Sequence, residues 1–204
     1  MIAIIDYGLG NVLALANCYI NMNIPFVVAK SSKDLLNATK LILPGVGSFD
    51  HAMQQLNQSG MRVMVEKLVT SSCIPVLGIC VGMQMLAKSS SEGSMPGLGL
   101  IDGDVKKFEI SLMPKVTNLP HMGWNDVKPV VDSGLFKGLG QTARFYFLHS
   151  YYFECHQHSD VLAVTDYGRS FTSAVNRDNL FGVQFHPEKS HHFGSQLLKN
   201  FAEI

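Results

Sequence analysis

Cys80, His186 and Glu188 have the residue types and chain order of a nucleophile, its base and the group that orients the base. Cys80 lies in Gly78-Ile79-Cys80-Val81-Gly82, the cysteine form of the G-x-S-x-G elbow. A residue on a sharp strand-to-helix turn takes a cramped backbone conformation, and glycines two positions before and after leave room for it. The Val81 amide would then point where an oxyanion forms, and the dipole of a following apolar helix would favour the thiolate. The pentapeptide alone leaves a second reading open, because cysteine is among the most often buried residues. In the run "GVQFHPEKS" (182–190), His186 ends an apolar stretch and Pro187 stops further pairing by removing a donor. Glu188, two residues on, can hold the imidazole in one tautomer. A lone histidine is more often structural, so this motif gains its meaning from the cysteine upstream.

The elements that must position these residues alternate. "IAIID" (2–6), "PFVVA" (25–29), "KLILP" (40–44) and "IPVLGIC" (74–80) read as strands. Between them, "VLALANCYINM" places Val12, Leu15, Ala16, Tyr19 and Ile20 on one helical face, and "DHAMQQL" and "MRVMVEKLV" read as helices. From about residue 97 the texture changes to strands: "LGLIDGDVKKF", "NDVKPV", "ARFYFLHSYYFEC", "DVLAVTDYG" and "FTSAVNRDNLFGVQF", the last with a hairpin turn at "NRDN". A closing helix carries Phe193, Leu197 and Phe201 on one period. The expected fold is α/β: a mixed, mostly parallel open sheet flanked by helices, with an antiparallel second half, in one domain over 1–204.

Composition narrows the function classes. Hydrophobic residues make up 47% and charged ones 16%, with 16 basic against 16 acidic side chains, so disorder, nucleic acid and anionic membrane are poor expectations. The first residues lack the basic region of a signal peptide, and no stretch approaches a membrane span. The four cysteines, Cys18, Cys73, Cys80 and Cys155, show no C-x-x-C pairing, which argues against a zinc site and fits a reducing cytoplasm. No metal is implied, and His191 and His192 read as solvated helix-start residues.

Seven stretches together are more selective than the elbow alone: "IIDYGLGN" (4–11), "LPGVGSF" (43–49), "GICVGMQ" (78–84), "GLGLIDGDVKKF" (97–108), "PHMGWN" (120–125), "FLHSYY" (147–152) and "FHPEKS" (185–190). On these the chain resembles the class I, or triad, glutamine amidotransferases, whose fold is flavodoxin-like. More narrowly, it resembles the glutaminase subunits that serve histidine biosynthesis. The resemblance implies that Cys80 attacks the carboxamide of L-glutamine, with His186 moving the protons and Glu188 orienting it. It places the oxyanion hole at the amides of Val46 and Val81, and the grip on glutamine at Gly45, Gly47, Gln84, Ser150 and Tyr151. Asn11, Met122, Trp124 and Lys189 would face a partner, a (β/α)8 cyclase-type subunit forming a heterodimer, and no cofactor is implied. The chain has no Walker loop and no G-x-G-x-x-G after a strand, so the ammonia acceptor is expected on another polypeptide.

Asp102, Lys107 and Leu9 depart from the commonest residues of that family, and none belongs to the triad. Related subunits supply ammonia for amidation of surface sugars, and the sequence does not separate the two acceptors. Two further readings compete: a non-catalytic interaction module on the same fold, which would predict a broken triad, and a stand-alone cysteine hydrolase, which would work without a partner.

Overall fold

The computed structural model describes residues 1–112, 118–140 and 143–204. The β-branched runs of the first half form β1 (Ile2–Ile5), β2 (Phe26–Ala29), β3 (Lys40–Gly45) and β4 (Val76–Cys80). Between them lie α1 (Val12–Asn21), α2 (Phe49–Gln58) and α3 (Arg62–Thr70). Helix α2 shows why the period matters: it buries Phe49, Ala52, Met53 and Leu56, one face of a 3.6-residue repeat.

The helix expected after Cys80 is a single turn, α4 (Val81–Gln84). A longer helix would use the carbonyls of Met85 and Leu86 for its next turn, but these accept instead from the Leu98 and Leu100 amides at 2.8 and 2.9 Å. So short an element adds little macrodipole, and the dipole argument for the thiolate falls away.

The second half supplies β5 (Ser89–Ser90), β6 (Gly103–Lys107), β7 (His121–Asp126), β8 (Lys128–Pro129), β9 (Arg144–His149), β10 (Tyr151–Cys155), β11 (Val161–Asp166), β12 (Ser170–Arg177) and β13 (Leu180–Val183), before α5 (His191–Glu203). The run "ARFYFLHSYYFEC" is two strands rather than one. Its first part, β9, pairs with β7 in a separate two-stranded ribbon, while β10 pairs with β6 and β12. Ser150 stands at the changeover.

An eleven-stranded sheet runs β2-β1-β3-β4-β13-β12-β10-β6-β5, with β11 on β12 and β8 on β11. Its first five strands are mutually parallel and the next three joins antiparallel, the mixed sheet expected from the patterning. β13 comes from the end of the chain yet is the fifth parallel strand, lying beside β4 with Val183 opposite Ile79. That pairing carries the residues after β13 to the same sheet end as Cys80.

The interior is continuous aliphatic and aromatic packing. Leu41, Ile42, Leu43, Leu77, Val183 and Phe185 are fully buried. Phe185 stacks on Phe145 with ring centroids 4.0 Å apart, so it anchors the residue just before His186; truncating such a ring to alanine costs ~3–5 kcal/mol. Helix α5 buries Leu197 and Phe201, while Phe193 is half-buried, and Asn200 ties the helix to the carbonyls of Leu135 and Lys137. Among the described residues no helix is long and apolar enough to cross a membrane.

Candidate active site

Cys80 ends β4 with φ +55° and ψ −112°, a left-handed conformation that a side chain adopts only under strain of order 1–3 kcal/mol. Its neighbours make the turn possible. A Cβ on Gly78 would lie 2.6 Å from the Gly82 carbonyl oxygen, and one on Gly82 would collide with the Leu43 carbonyl of β3. Gly45 lies equally close: a Cβ there would collide with the Gly82 amide and meet Val81 at 2.9 Å. The elbow and the end of β3 therefore touch backbone to backbone.

Tyr7 and Gly10, from the "YGLGN" turn, brace that strand end. The buried Tyr7 hydroxyl donates to the Pro44 carbonyl at 2.6 Å, and burial, with Cys80 nearby, pushes the phenol's pKa up. Gly10, at φ +95°, passes so close over the Pro44 ring that a side chain would not fit.

His186 follows β13 and is almost fully buried. Its amide donates to the Tyr146 carbonyl at 2.8 Å, and the Ser190 hydroxyl donates to its carbonyl at 2.6 Å while accepting the Tyr146 amide at 2.9 Å. The imidazole is thus held from β9 as well as from its own strand. Pro187 starts a single 3-10 turn that brings Glu188 round, and His186 Nδ1 meets Glu188 Oε1 at 2.8 Å. On its other side the ring shares the cavity wall with Cys80. Burial alone would lower the pKa of His186, but the hydrogen bonds and charges of Cys80 and Glu188 outweigh it and raise it to about 10. Burial likewise works to raise Glu188, and the bonds from His186 and Asn11 overcome it and hold the carboxyl ionised.

A cavity of about 280 Å³ opens over these groups. Of the residues singled out in the sequence, Asn11, Val46, Gly47, Cys80, Val81, Gln84, Ser150, Tyr151, His186 and Lys189 line it. Gly45 does not; it lies beneath, against the elbow. Glu188 stands behind His186 with its side chain buried. Met122 and Trp124 are exposed on the outer face of β7, with Trp124 stacked on His191 and Lys189 set 5.7 Å over the Tyr146 ring. Asn11, expected to face a partner, is half-buried and also reaches into the constellation: its Nδ2 donates to Glu188 Oε1 at 2.7 Å.

Two groups were missed in the sequence. Gln184, fully buried one residue past β13, donates from Nε2 to Cys80 Sγ at 3.7 Å and accepts the Gln84 amide at 3.0 Å. Its signal was a polar residue interrupting the apolar run "FGVQF". Glu92 is the one acidic residue among the described residues that line the cavity, its Oε2 taking the Phe49 amide at 2.8 Å; nothing in its local sequence marks it. Among the described residues, no group of three or more histidine, cysteine, aspartate or glutamate side chains is arranged to hold a metal.

A family model described as glutamine amidotransferase class-I matches residues 3–204. The chain is 60% identical over 206 residues to the imidazole glycerol phosphate synthase subunit HisH of Bdellovibrio bacteriovorus, covering all of both chains. It is 52% identical to the subunit of the same name from Leptospira interrogans, again over the whole of both. A solved structure described as a glutamine amidotransferase superposes with a TM-score of 0.75 at 19% identity, covering 100% of this chain and 99% of that one.

Proposed function

The chain belongs to the class-I glutamine amidotransferases, and from that premise we propose that it is the glutaminase subunit of an imidazole glycerol phosphate synthase, with Cys80 as nucleophile. The observation that carries the assignment is a strained cysteine, at φ +55°, sharing a cavity of about 280 Å³ with His186, which is itself hydrogen-bonded to the buried Glu188.

In this reading His186, its pKa raised beside Cys80 and Glu188, holds the proton drawn from the Cys80 thiol while Sγ attacks the carboxamide carbon. The tetrahedral oxygen would be held by the amides of Val81 and Val46, a reading supported by the register that sets Gly45 opposite Cys80. His186 returns the proton to the leaving nitrogen, ammonia departs, and a glutamyl thioester remains. Water then attacks the thioester carbon, giving its proton to His186, and the sulfur leaves with glutamate released. Glu188, held by Asn11, keeps His186 Nδ1 protonated so that Nε2 faces the chemistry. Gly47, Gln84, Ser150 and Tyr151 hold the substrate backbone, and Glu92 offers a carboxylate to its ammonium group.

Free ammonia near neutral pH is mostly protonated and no nucleophile, so the product must pass directly to an acceptor. The partner is a (β/α)8 cyclase subunit docked over Met122, Trp124 and Lys189, whose exposure beside the cavity supports that position. There ammonia converts a phosphorylated ribulosylamine-type intermediate into imidazole glycerol phosphate and an aminoimidazole carboxamide ribotide. A reducing cytoplasm suits four cysteines that are all free thiols. Glutamate release, measured with and without the co-purified cyclase subunit, tests the assignment: a large stimulation is expected, and activity retained in Cys80→Ala would remove Cys80 from its role.

A further inference from the structure

His121 of β7 and His149 of β9 face each other across the two-stranded ribbon, and both are almost fully buried. His121 Nδ1 lies 2.9 Å from His149 Nε2. The ends of this pair fix its protons. At one end, Asn125 Oδ1 accepts the Asp126 amide at 2.8 Å and Nδ2 donates to the Asp166 carbonyl at 2.8 Å, which settles the orientation of that carboxamide. Its Nδ2 therefore also donates to His121 Nε2, 3.2 Å away, so His121 carries its proton on Nδ1. At the other end, His149 Nδ1 lies 2.7 Å from the Tyr151 carbonyl, which can only accept, so His149 also carries its proton on Nδ1.

The two ends are independent, and they agree in the middle: His121 Nδ1–H donates to a bare His149 Nε2. Protonating His149 would set two N–H groups against each other, and protonating His121 would set Nε2–H against the Asn125 amide. Both rings are therefore neutral, inside a box of Phe108, Phe147, Tyr167 and Phe171. Burial supports this by driving the pKa of His121 down to about 4 and that of His149 to about 3.

The Tyr151 carbonyl that ends this chain also accepts Gln84 Nε2 at 3.2 Å, and Gln84 donates in turn to Gln184, which donates to the Cys80 sulfur. At its start, β7 alternates: His121 and Asn125 point inward, while Met122 and Trp124 are exposed on the opposite face. We propose that Asn125, His121 and His149 form a one-way hydrogen-bond relay that couples the position of the partner-facing ribbon to the Tyr151 and Gln84 wall of the glutamine cavity. The relay rests on the reading of this chain as a partner-stimulated glutaminase, and its members are positioning residues that do not touch the reacting atoms.

The proton order is tested directly by nitrogen NMR of the histidine-labelled chain at neutral pH. Both rings should show a protonated Nδ1 and a bare Nε2; an Nε2–H tautomer or an imidazolium at either position overturns the relay. The coupling is tested with His121→Phe, which keeps the stacking on Phe147 and Tyr167 but removes both nitrogens. With the cyclase subunit saturating, the KM for glutamine should rise and the partner's stimulation should fall, each by roughly tenfold, within the ordinary range of coupling energies, while the Kd for the partner stays within about twofold. Stimulation equal to wild type overturns the proposal. Should that variant not fold, Asn125→Asp at its half-exposed position puts an acceptor against His121 Nε2 and is expected to give the same loss, with wild-type stimulation again the overturning result. His149→Asn separates positioning from packing: its Nδ2 can still reach the Tyr151 carbonyl, so it should restore the KM lost in His149→Phe without restoring stimulation. Equal damage in both overturns the relay. A wild-type chain that releases no glutamate with its partner fails the glutaminase reading instead, whatever tautomers the NMR shows.

Discussion

Gln184 donates its side-chain amide to the sulfur of Cys80 at 3.7 Å, although 104 residues separate them in the chain. The register of β13 on β4 produces this: Val183 pairs with Ile79, so the next residue on each strand stands side by side. A donor aimed at sulfur orients it for attack and strengthens as charge moves onto it in the reaction, in a buried setting where such bonds are strong. Gln184→Met keeps the volume and removes the donor. We expect kcat/KM for glutamine to fall roughly ten- to hundredfold, the value of a hydrogen bond to a charged group, with a stability loss of ~1–2 kcal/mol. Unchanged kinetics with the same stability loss would make Gln184 a structural residue only.

Cys80 also predicts an inversion of a general rule. Glycine in place of alanine normally destabilises a folded element by ~0.5–1 kcal/mol, because glycine has more freedom to lose. At φ +55° the strain falls on any side chain, and only glycine is free of it. Cys80→Gly and Cys80→Ala should both be inactive, and Cys80→Gly should be at least as stable as Cys80→Ala by denaturant midpoint. The ordinary order, with alanine the more stable, would mean that the elbow stores no strain.

Asn11 separates two roles. A residue that serves only a partner surface would, when truncated, leave the isolated chain untouched. Asn11 instead donates to the same Glu188 oxygen that receives His186. The other Glu188 oxygen is buried with no partner among the described residues, so the carboxylate depends on these two bonds. Asn11→Ala should therefore lower glutamate release by the chain alone, by roughly tenfold for a charge-assisted bond, as well as in the complex. Loss confined to the complex would return Asn11 to the interface.

These cases also mark what patterning could and could not carry. The elements of the parallel half were legible because each strand and helix is a local period, and the Cys80 elbow because its glycines are local too. What was not legible depends on strand neighbours. Nothing in "GVQFH" says that β13 lies beside β4, so no local pattern marks Gln184 as a contact of the sulfur. The split of "ARFYFLHSYYFEC" at Ser150 was invisible for a related reason: both halves alternate properly, and only their partners, β7 and β6, differ. β7 itself carries Gly123 and outward Met122 and Trp124, a pattern that makes a strand only once β9 is there to pair with it. The family resemblance supplied residue positions, and hydrogen-bond geometry adds to Asn11 a bond to Glu188 that no local pattern announces.

The neutral histidine pair makes acid stability a measurable consequence. The folded chain takes up protons at His121 and His149 only near pH 4 and pH 3, whereas the unfolded chain does so near the ordinary 6.5. Between these limits the unfolded state binds more protons, so stability is complete above about pH 6.5 and falls as the pH drops, by about 1 kcal/mol per pH unit for each ring. The other shifted groups act elsewhere. His186, raised to about 10, contributes fully below 6.5 and loses its contribution only as the pH rises through 10. The lowered carboxyls, including Glu188 and Asp50, begin to lose theirs only around their unfolded values of 4.5 and 3.8. Denaturation midpoints between pH 6.5 and 5 therefore report the histidine pair with little interference. His149→Phe should flatten that slope by about half, one ring of two, even though the variant is less stable at neutral pH. A slope as steep as wild type would mean that the pair is already protonated in the folded chain, and with it the one-way order of the hydrogen bonds would be lost.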